Sequence, residues 1–199
     1  AIPQNLNTNF QYDLSEEDWK RLMTLHEGDH PEWSVEFLKS LANDNVRNTI
    51  IVEELKKLAD EGKKILYFSV DQNQAKLIFV ALQKLDVSSA YVDKDTDKKF
   101  RKQIIKKFKD TDEINVICNF NIFSTGFDVP DIDVVFIARP INSPVLFNQI
   151  VGRGTRGTKM GAKEPNFSLV QVMDKIKSPF SDFDPYQQYH YWDKDWKNE

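Results

Sequence analysis

The chain has 199 residues, 40% of them hydrophobic and 29% charged, with a formal net charge of −4. That is enough to enclose one good-sized core with some helical decoration, and too acidic for the whole surface to serve as a nucleic-acid platform, although a local basic patch is allowed. No leader-like segment and no apolar run near 18 residues is present, so secretion and membrane spanning are not expected and a cytoplasmic location is.

The lone cysteine, Cys118, excludes an intrachain disulfide and, next to Val116 and Ile117, reads as a buried, inert thiol. The three histidines, His26, His30 and His190, form no ligand cluster at useful spacing, so no metal site is expected.

The opening dozen residues, with Pro3 and three asparagines, read as an irregular incoming linker. Ser15 followed by Glu16, Glu17 and Asp18 is a helix cap with an acidic first turn, leading into Trp19-Lys-Arg-Leu-Met. Gly28 to Pro31 breaks that helix. A further helical stretch starts near Ser34, is interrupted near Asn43-Asp44-Asn45, and resumes through Ile50-Ile-Val-Glu-Glu-Leu-Lys-Lys-Leu at helical spacing.

From Lys64 the pattern changes. Ile65-Leu-Tyr-Phe68 is a short apolar strand, Gln72 to Leu85 an amphipathic helix, Ser88 to Val92 a weaker strand, and Asp97 to Phe108 a very basic helix built around Phe100, Ile104, Ile105 and Phe108. The lysines of that helix read first as a solvated face, with phosphate contact as the other reading. Ile114 to Cys118 and Val134 to Ala138 are nearly continuous apolar strands, as in a sheet covered on both faces, and Phe167 to Val172 supplies one more.

Strands separated by helices of this length predict an α/β fold, a mainly parallel sheet with helices on both faces. Ligands of such sheets sit at the carboxyl ends of the strands, which here means the loops after Phe68, Cys118 and Ala138. The aromatic tail Tyr186-Gln-Gln-Tyr-His-Tyr-Trp either packs on the core or is a cut end whose partner surface is absent.

Two segments carry chemistry. Gln149-Ile-Val-Gly152-Arg153-Gly-Thr-Arg156 places two guanidinium forks three residues apart, and arginine grips phosphate through charge-assisted hydrogen bonds. Gln149 and Arg153 are i,i+4 and can share a helical face, while Arg156, beyond Gly154, projects from the frayed end. The plain alternative is a pair of surface salt bridges.

The other segment is Ser124-Thr125-Gly126-Phe127-Asp128-Val-Pro130. Gly126 lets backbone amides approach a ligand, Ser124 and Thr125 can donate to phosphate, and Asp128 can accept from a ribose hydroxyl or orient an arginine. Its plain alternative is a turn leading to the next strand. No Gly-x-x-x-x-Gly-Lys-[Ser/Thr] phosphate cradle occurs anywhere in the chain. The arginines therefore suit the completion of a nucleotide site on another domain.

Taken together, these segments resemble the second RecA-like domain of superfamily 2 helicases and translocases, which include DEAD/DEAH-type enzymes and restriction-enzyme motor subunits. Ile65 to Ser69 with Gln74-Ala75 is similar to motif IV, Asn119 to Pro130 to motif V, and Gln149-x-x-Gly152-Arg153-x-x-Arg156 to motif VI. Phe167 to Asp174 resembles the strand and acidic turn that follow the arginine motif in restriction-type and related bacterial DNA helicases.

The resemblance implies that Arg156 is an arginine finger on the ATP γ-phosphate, with Arg153 beside it. Gln149 and Gly152 would border the interdomain cleft, Gly126 and Asp128 the nucleotide. Phe68, Ser69, Ser124 and Thr125 would touch the nucleic-acid backbone. It further implies residues 1–62 as interdomain linker and helical addition, 63–178 as the RecA-like domain, and 179–199 as a tail or the start of a further region.

The chain would then be a carboxy-terminal fragment of an ATP-dependent DNA helicase or translocase, inactive alone. ATP and Mg²⁺ would be held with the N-terminal RecA-like domain, and nuclease or methylase subunits are implied as further partners. The rival reading is a non-catalytic nucleic-acid or protein-binding module that has kept the fold.

Overall fold

Three four-residue runs, β2 (Ile65–Phe68), β4 (Val116–Asn119) and β5 (Val134–Ile137), are buried at every position and form the middle of the protein. The computed structural model describes residues 2–23, 33–120, 132–141, 143–152, 167–179 and 184–190. With β1 (Ile2–Asp13), β3 (Ser89–Val92) and β6 (Ser168–Lys177), these strands make one six-stranded sheet in the order β1-β6-β5-β2-β4-β3, every pairing parallel.

Side chains alternate across a strand, so each central run feeds two cores. Leu66, Phe68, Ile117, Val135 and Ile137 face one way and pack with Ile104 and Phe108 of α5 (Lys98–Asp110) and with Phe147, Ile150 and Val151 of α6 (Pro144–Val151). Ile65, Tyr67, Val116, Cys118, Val134 and Phe136 face the other way and pack with Ile51, Leu55 and Leu58 of α3 (Asn45–Asp60) and Ile78 and Leu82 of α4 (Gln72–Lys84). Helices thus cover both faces, as the apolar runs predicted. Cys118 is fully buried, and burial pushes its thiol well above the ordinary range. Tyr186 and Tyr189 of the aromatic tail pack on the first core. Phe100, expected in the apolar seam of the basic helix, is instead 55% exposed.

The opening residues, expected to be irregular, are a twelve-residue strand. β1 lies at the edge of the sheet, paired with β6 from Ile2↔Ser168 to Asp13↔Lys177 with a register shift between Asn7 and Gln11. Only Thr8 and Phe10 along it are buried, which is why no apolar pattern announces it; a polar edge also discourages pairing with other chains. After it come α1 (Glu16–Met23) and α2 (Val35–Asn43).

The Ser15 hydroxyl accepts from the Asp18 amide (3.0 Å) while the Asp18 carboxylate accepts from the Ser15 amide (3.1 Å), a reciprocal cap on α1. Phe37 and Leu41 of α2 join Phe10, Leu14, Trp33 and Val70 in a third, smaller core. Asp44 ends α2 and caps α3, its carboxylate accepting from the Arg47 amide.

The turn into β2 closes on Gly62, at φ +76°, with the Lys63 amide donating to Leu58 O, a helix terminus that a left-handed residue requires. Lys64 then stitches the amino ends of the central strands. Its amide donates to Asp133 Oδ2 (2.7 Å) and its Nζ to Thr111 O (2.6 Å) and Ile114 O (3.1 Å). The amino edge is laced shut, and the carboxyl edge is where the loops gather.

Candidate functional site

At that carboxyl edge β2 ends in Phe68 and Ser69. Phe68 belongs to the core, and Ser69 is 3% exposed. The Ser69 amide donates to Asn119 O (3.1 Å), and its hydroxyl lies 2.7 Å from Asp71 O and 3.0 Å from Asn119 O. Both donors are engaged within the fold, so a contact from Ser69 to an added ligand requires one of these bonds to be exchanged.

Phe68, Ser69, Asn119, Phe120, Arg139, Leu146 and Ile150 line a small recess here. Asn119 Nδ2 donates to Tyr67 O (2.7 Å), whereas the buried Oδ1 of Asn119 accepts no hydrogen bond from the described residues. An unpaired buried acceptor is costly, which marks Asn119 as a residue to watch. A polar side chain closing the apolar run Val116-Ile117-Cys118 was the sequence signal for it.

α6 carries the start of the arginine segment. The Ser143 hydroxyl accepts from the Leu146 amide (3.2 Å), Pro144 supplies a preset first turn, and Phe147, Ile150 and Val151 anchor one face in the core. Gln149 stands exposed on the opposite face. Gly152 follows as the helix cap, where a Cβ would come within 2.8 Å of Asn148 O, so the backbone passes closer than any side chain permits. Arg153 and Arg156 lie outside the described residues, as do Ser124, Thr125, Gly126 and Asp128.

Behind α6 lies a polar hub that the sequence did not announce. Arg47, fully buried in the first turn of α3, meets Asp174 of β6 through Nε to Oδ1 (2.9 Å) and Nη2 to Oδ2 (3.0 Å). Thr8 of β1 donates to Asp174 Oδ1, and the Tyr186 hydroxyl donates to Oδ2 (3.2 Å) while accepting from the Asp174 amide (2.7 Å). Burial, and then the nearby Asp174 carboxylate, push the Tyr186 phenol well above its ordinary range. The acidic turn expected at Asp174 is therefore not a turn: the residue sits within β6, its charge met by a buried guanidinium.

A second carboxylate hub follows β3. Asp93 accepts from Gln72 Nε2 (2.6 Å), the Tyr91 hydroxyl (2.7 Å), the Thr96 hydroxyl (2.9 Å) and the Asp95 amide (3.0 Å). Burial alone would raise its pKa, but these donors outweigh it and hold the carboxyl down at about 2. Arg101 of α5 donates to Asp93 O (2.8 Å), so this arginine of the basic helix is turned partly inward, while all the lysines there are exposed.

An all-parallel six-stranded sheet with helices on both faces is the architecture of a RecA-like domain. The family of the helicase conserved C-terminal domain matches residues 46–158, and the chain belongs to it, as a superfamily 2 helicase C-terminal RecA-like domain.

IRC3 of Saccharomyces cerevisiae, whose name carries a provisional assignment as an ATP-dependent helicase, is 35% identical over 121 residues, covering 60% of this chain and 17% of that protein. The C-terminal part of the Fun30 ATPase domain superposes with a TM-score of 0.55 at 20% identity, over 67% of this chain and 44% of that one. The DUF1998 helicase MrfA, in its DNA-bound crystal structure, superposes with a TM-score of 0.55 at 14% identity, over 73% of this chain and 20% of that one. These two likenesses establish the fold. The chain spans less than a fifth of IRC3. Among the described residues, no helix is long and apolar enough to cross a membrane.

Proposed function

We propose that this chain is the C-terminal motor half of an ATP-dependent DNA helicase or translocase, supplying an arginine finger to a nucleotide held by an N-terminal RecA-like domain of the same protein. The observation that carries the proposal is the family match over 46–158, a span that contains both the Ser124–Pro130 loop and the Gln149–Arg156 segment, joined to a helix α6 on which Gln149 is exposed.

In this reading Arg156 neutralises charge on the transferring γ-phosphoryl group and Arg153 grips phosphate beside it. Gln149 and Gly152 border the cleft, and Gly126 and Asp128 face the nucleotide. Thr125 and Ser124 meet the strand's backbone, which carries no sequence information; Phe68 is held in the core, and Ser69 joins them only by exchanging one of its bonds within the fold. ATP and Mg²⁺ would be held by the N-terminal domain, where the metal would supply neutralisation of phosphate charge. The exposed amide of Gln149 fits a nucleotide's polar groups. Residues 63–178 carry the central strands of the motor domain; of 1–62, expected as connection and helical addition, β1 and α3 instead complete its sheet and second core, and 179–199 are a tail or the start of a further region. Nuclease or methylase subunits are the further partners of the assembled protein.

In the full-length protein, Arg156→Ala is expected to slow ATP hydrolysis by about 10³-fold or more, the scale of a lost arginine finger, while ATP binding changes little. Steady-state hydrolysis alongside nucleotide titration checks it, and turnover at the wild-type rate would sink the finger assignment. Stimulation of hydrolysis by RNA but not by DNA would overturn the choice of strand.

A further inference from the structure

Carbonyls on the way from β5 to α6 are met by side chains from elsewhere in the chain, with the two hydrogens of Gln171 Nε2 shared among Ile137 O, Arg139 O and its nearest acceptor, Val172 O at 3.0 Å. Ile137 O and Arg139 O lie 3.4 and 3.2 Å from Gln171 Nε2, Ala138 O accepts from Arg47 Nη2, and Pro140 O accepts from Trp33 Nε1 at 3.0 Å. Connecting segments ordinarily leave such groups to water. Here all three donors are buried, Trp33 at 4%, Arg47 at 0% and Gln171 at 1% exposure.

Each donor is itself anchored. Trp33 packs against Phe37 in the third core with tilted rings 4.7 Å apart, Arg47 is clamped by Asp174, and Gln171 sits within β6 next to β5. The held segment ends three residues before Ser143, the cap of an eight-residue helix. A helix so short takes its position from what precedes it and from the single face it buries.

We propose that Trp33, Arg47 and Gln171 are positioning residues for α6, fixing where it presents Gln149 and the arginine segment that follows. The inference rests on the proposed function for its catalytic readout. Trp33 and Gln171 both lie outside the span 46–158 matched by the family, so the position of a shared motif is set here by residues that the family match does not include. Arg47 does double work, since the same guanidinium joins Asp174 of β6 to the end of β5.

The test uses the full-length protein. Trp33→Phe keeps an aromatic ring and removes the indole N–H. Because ångström-scale misplacement of a reacting group costs up to about 10²-fold in rate, kcat for ATP hydrolysis should fall by roughly tenfold or more, with KM for ATP within about twofold. Gln171→Met, which repeats the test from β6, should show the same split. A purely structural role would lower the thermal midpoint and leave kcat per folded molecule unchanged, and that result in both variants overturns the proposal.

Combining Trp33→Phe with Arg156→Ala separates the two claims. If Trp33 acts through the arginine segment, the double variant is no slower than Arg156→Ala alone. If Arg156→Ala retains turnover while Trp33→Phe slows it, the finger assignment fails and the positioning of α6 stands. If Arg156→Ala abolishes turnover while Trp33→Phe and Gln171→Met keep the wild-type kcat, the positioning fails alone.

Discussion

The centre and the edges of the sheet are held in different ways. β2, β4 and β5 are buried at every residue and supply apolar side chains to both cores, so their place is set by area removed from water. β1 buries only Thr8 and Phe10, and β3 buries only Ala90 and Val92. Each of these outer regions instead has a carboxylate hub: Asp174 gathers donors from β1, α3 and the segment after β6, and Asp93 gathers them from β3, α4 and the turn before α5. The contrast teaches that a strand with little to bury can still be fixed, provided its polar partners are few and anchored.

The largest way to break this contrast is Asp174→Ala. It strands the buried Arg47 guanidinium, and removing one partner of such a pair costs about 3–5 kcal/mol. Urea denaturation measures it. Replacing both members, Arg47→Met with Asp174→Leu, should recover most of that loss, because the charge that needed a partner is gone.

A smaller effect is expected at the opposite edge. Asp93→Asn weakens hydrogen bonds to a charged acceptor, worth about 1.5–3 kcal/mol at neutral pH. The folded pKa of Asp93, about 2, lies below its ordinary value, so the unfolded chain binds this proton first as pH falls. The stabilisation is complete above about pH 4 and is lost as pH drops through about 2, following the usual carboxylate range. Melting curves across that window should therefore show a shallower acid slope in Asp93→Asn than in the wild type.

The smallest change tests the centre. Ile137→Val removes one methylene between β5 and its neighbours and should cost about 0.5–1.5 kcal/mol, with no change in the acid slope. A loss as large as that of Asp174→Ala would mean the edge hub is not the more fragile arrangement.

The parts legible in the sequence follow this division. Ile65 to Phe68 and Val134 to Ile137 announce themselves because a short, unbroken apolar run flanked by polar residues suits a strand covered on both faces. The break at Asp44 is readable because a capping residue acts locally. β1 was not legible, since its order comes from pairing with β6, far along the chain. The same holds for the hub: Arg47 and Asp174 are 127 residues apart, and no local spacing links a helix arginine to a strand aspartate. At the candidate site Gln149 lies exposed on α6, while Arg153, expected to share its face, lies outside the described residues. The hands that hold the helix in place, Trp33 and Gln171, were not legible, because the groups they grip are backbone carbonyls, which every residue carries and no sequence pattern marks.

Lys64 carries a consequence of another kind. Its side chain is 14% exposed, and its ammonium donates to Thr111 O and Ile114 O and lies 3.5 Å from Asp112 and 5.6 Å from the centre of the Phe108 ring. Amine-acylating reagents need open access to the nitrogen, so the exposed lysines of the basic helix will be tagged early and Lys64 late. Its labelling rate is thus a chemical clock for the opening of the laced edge, readable by mass spectrometry at a single position.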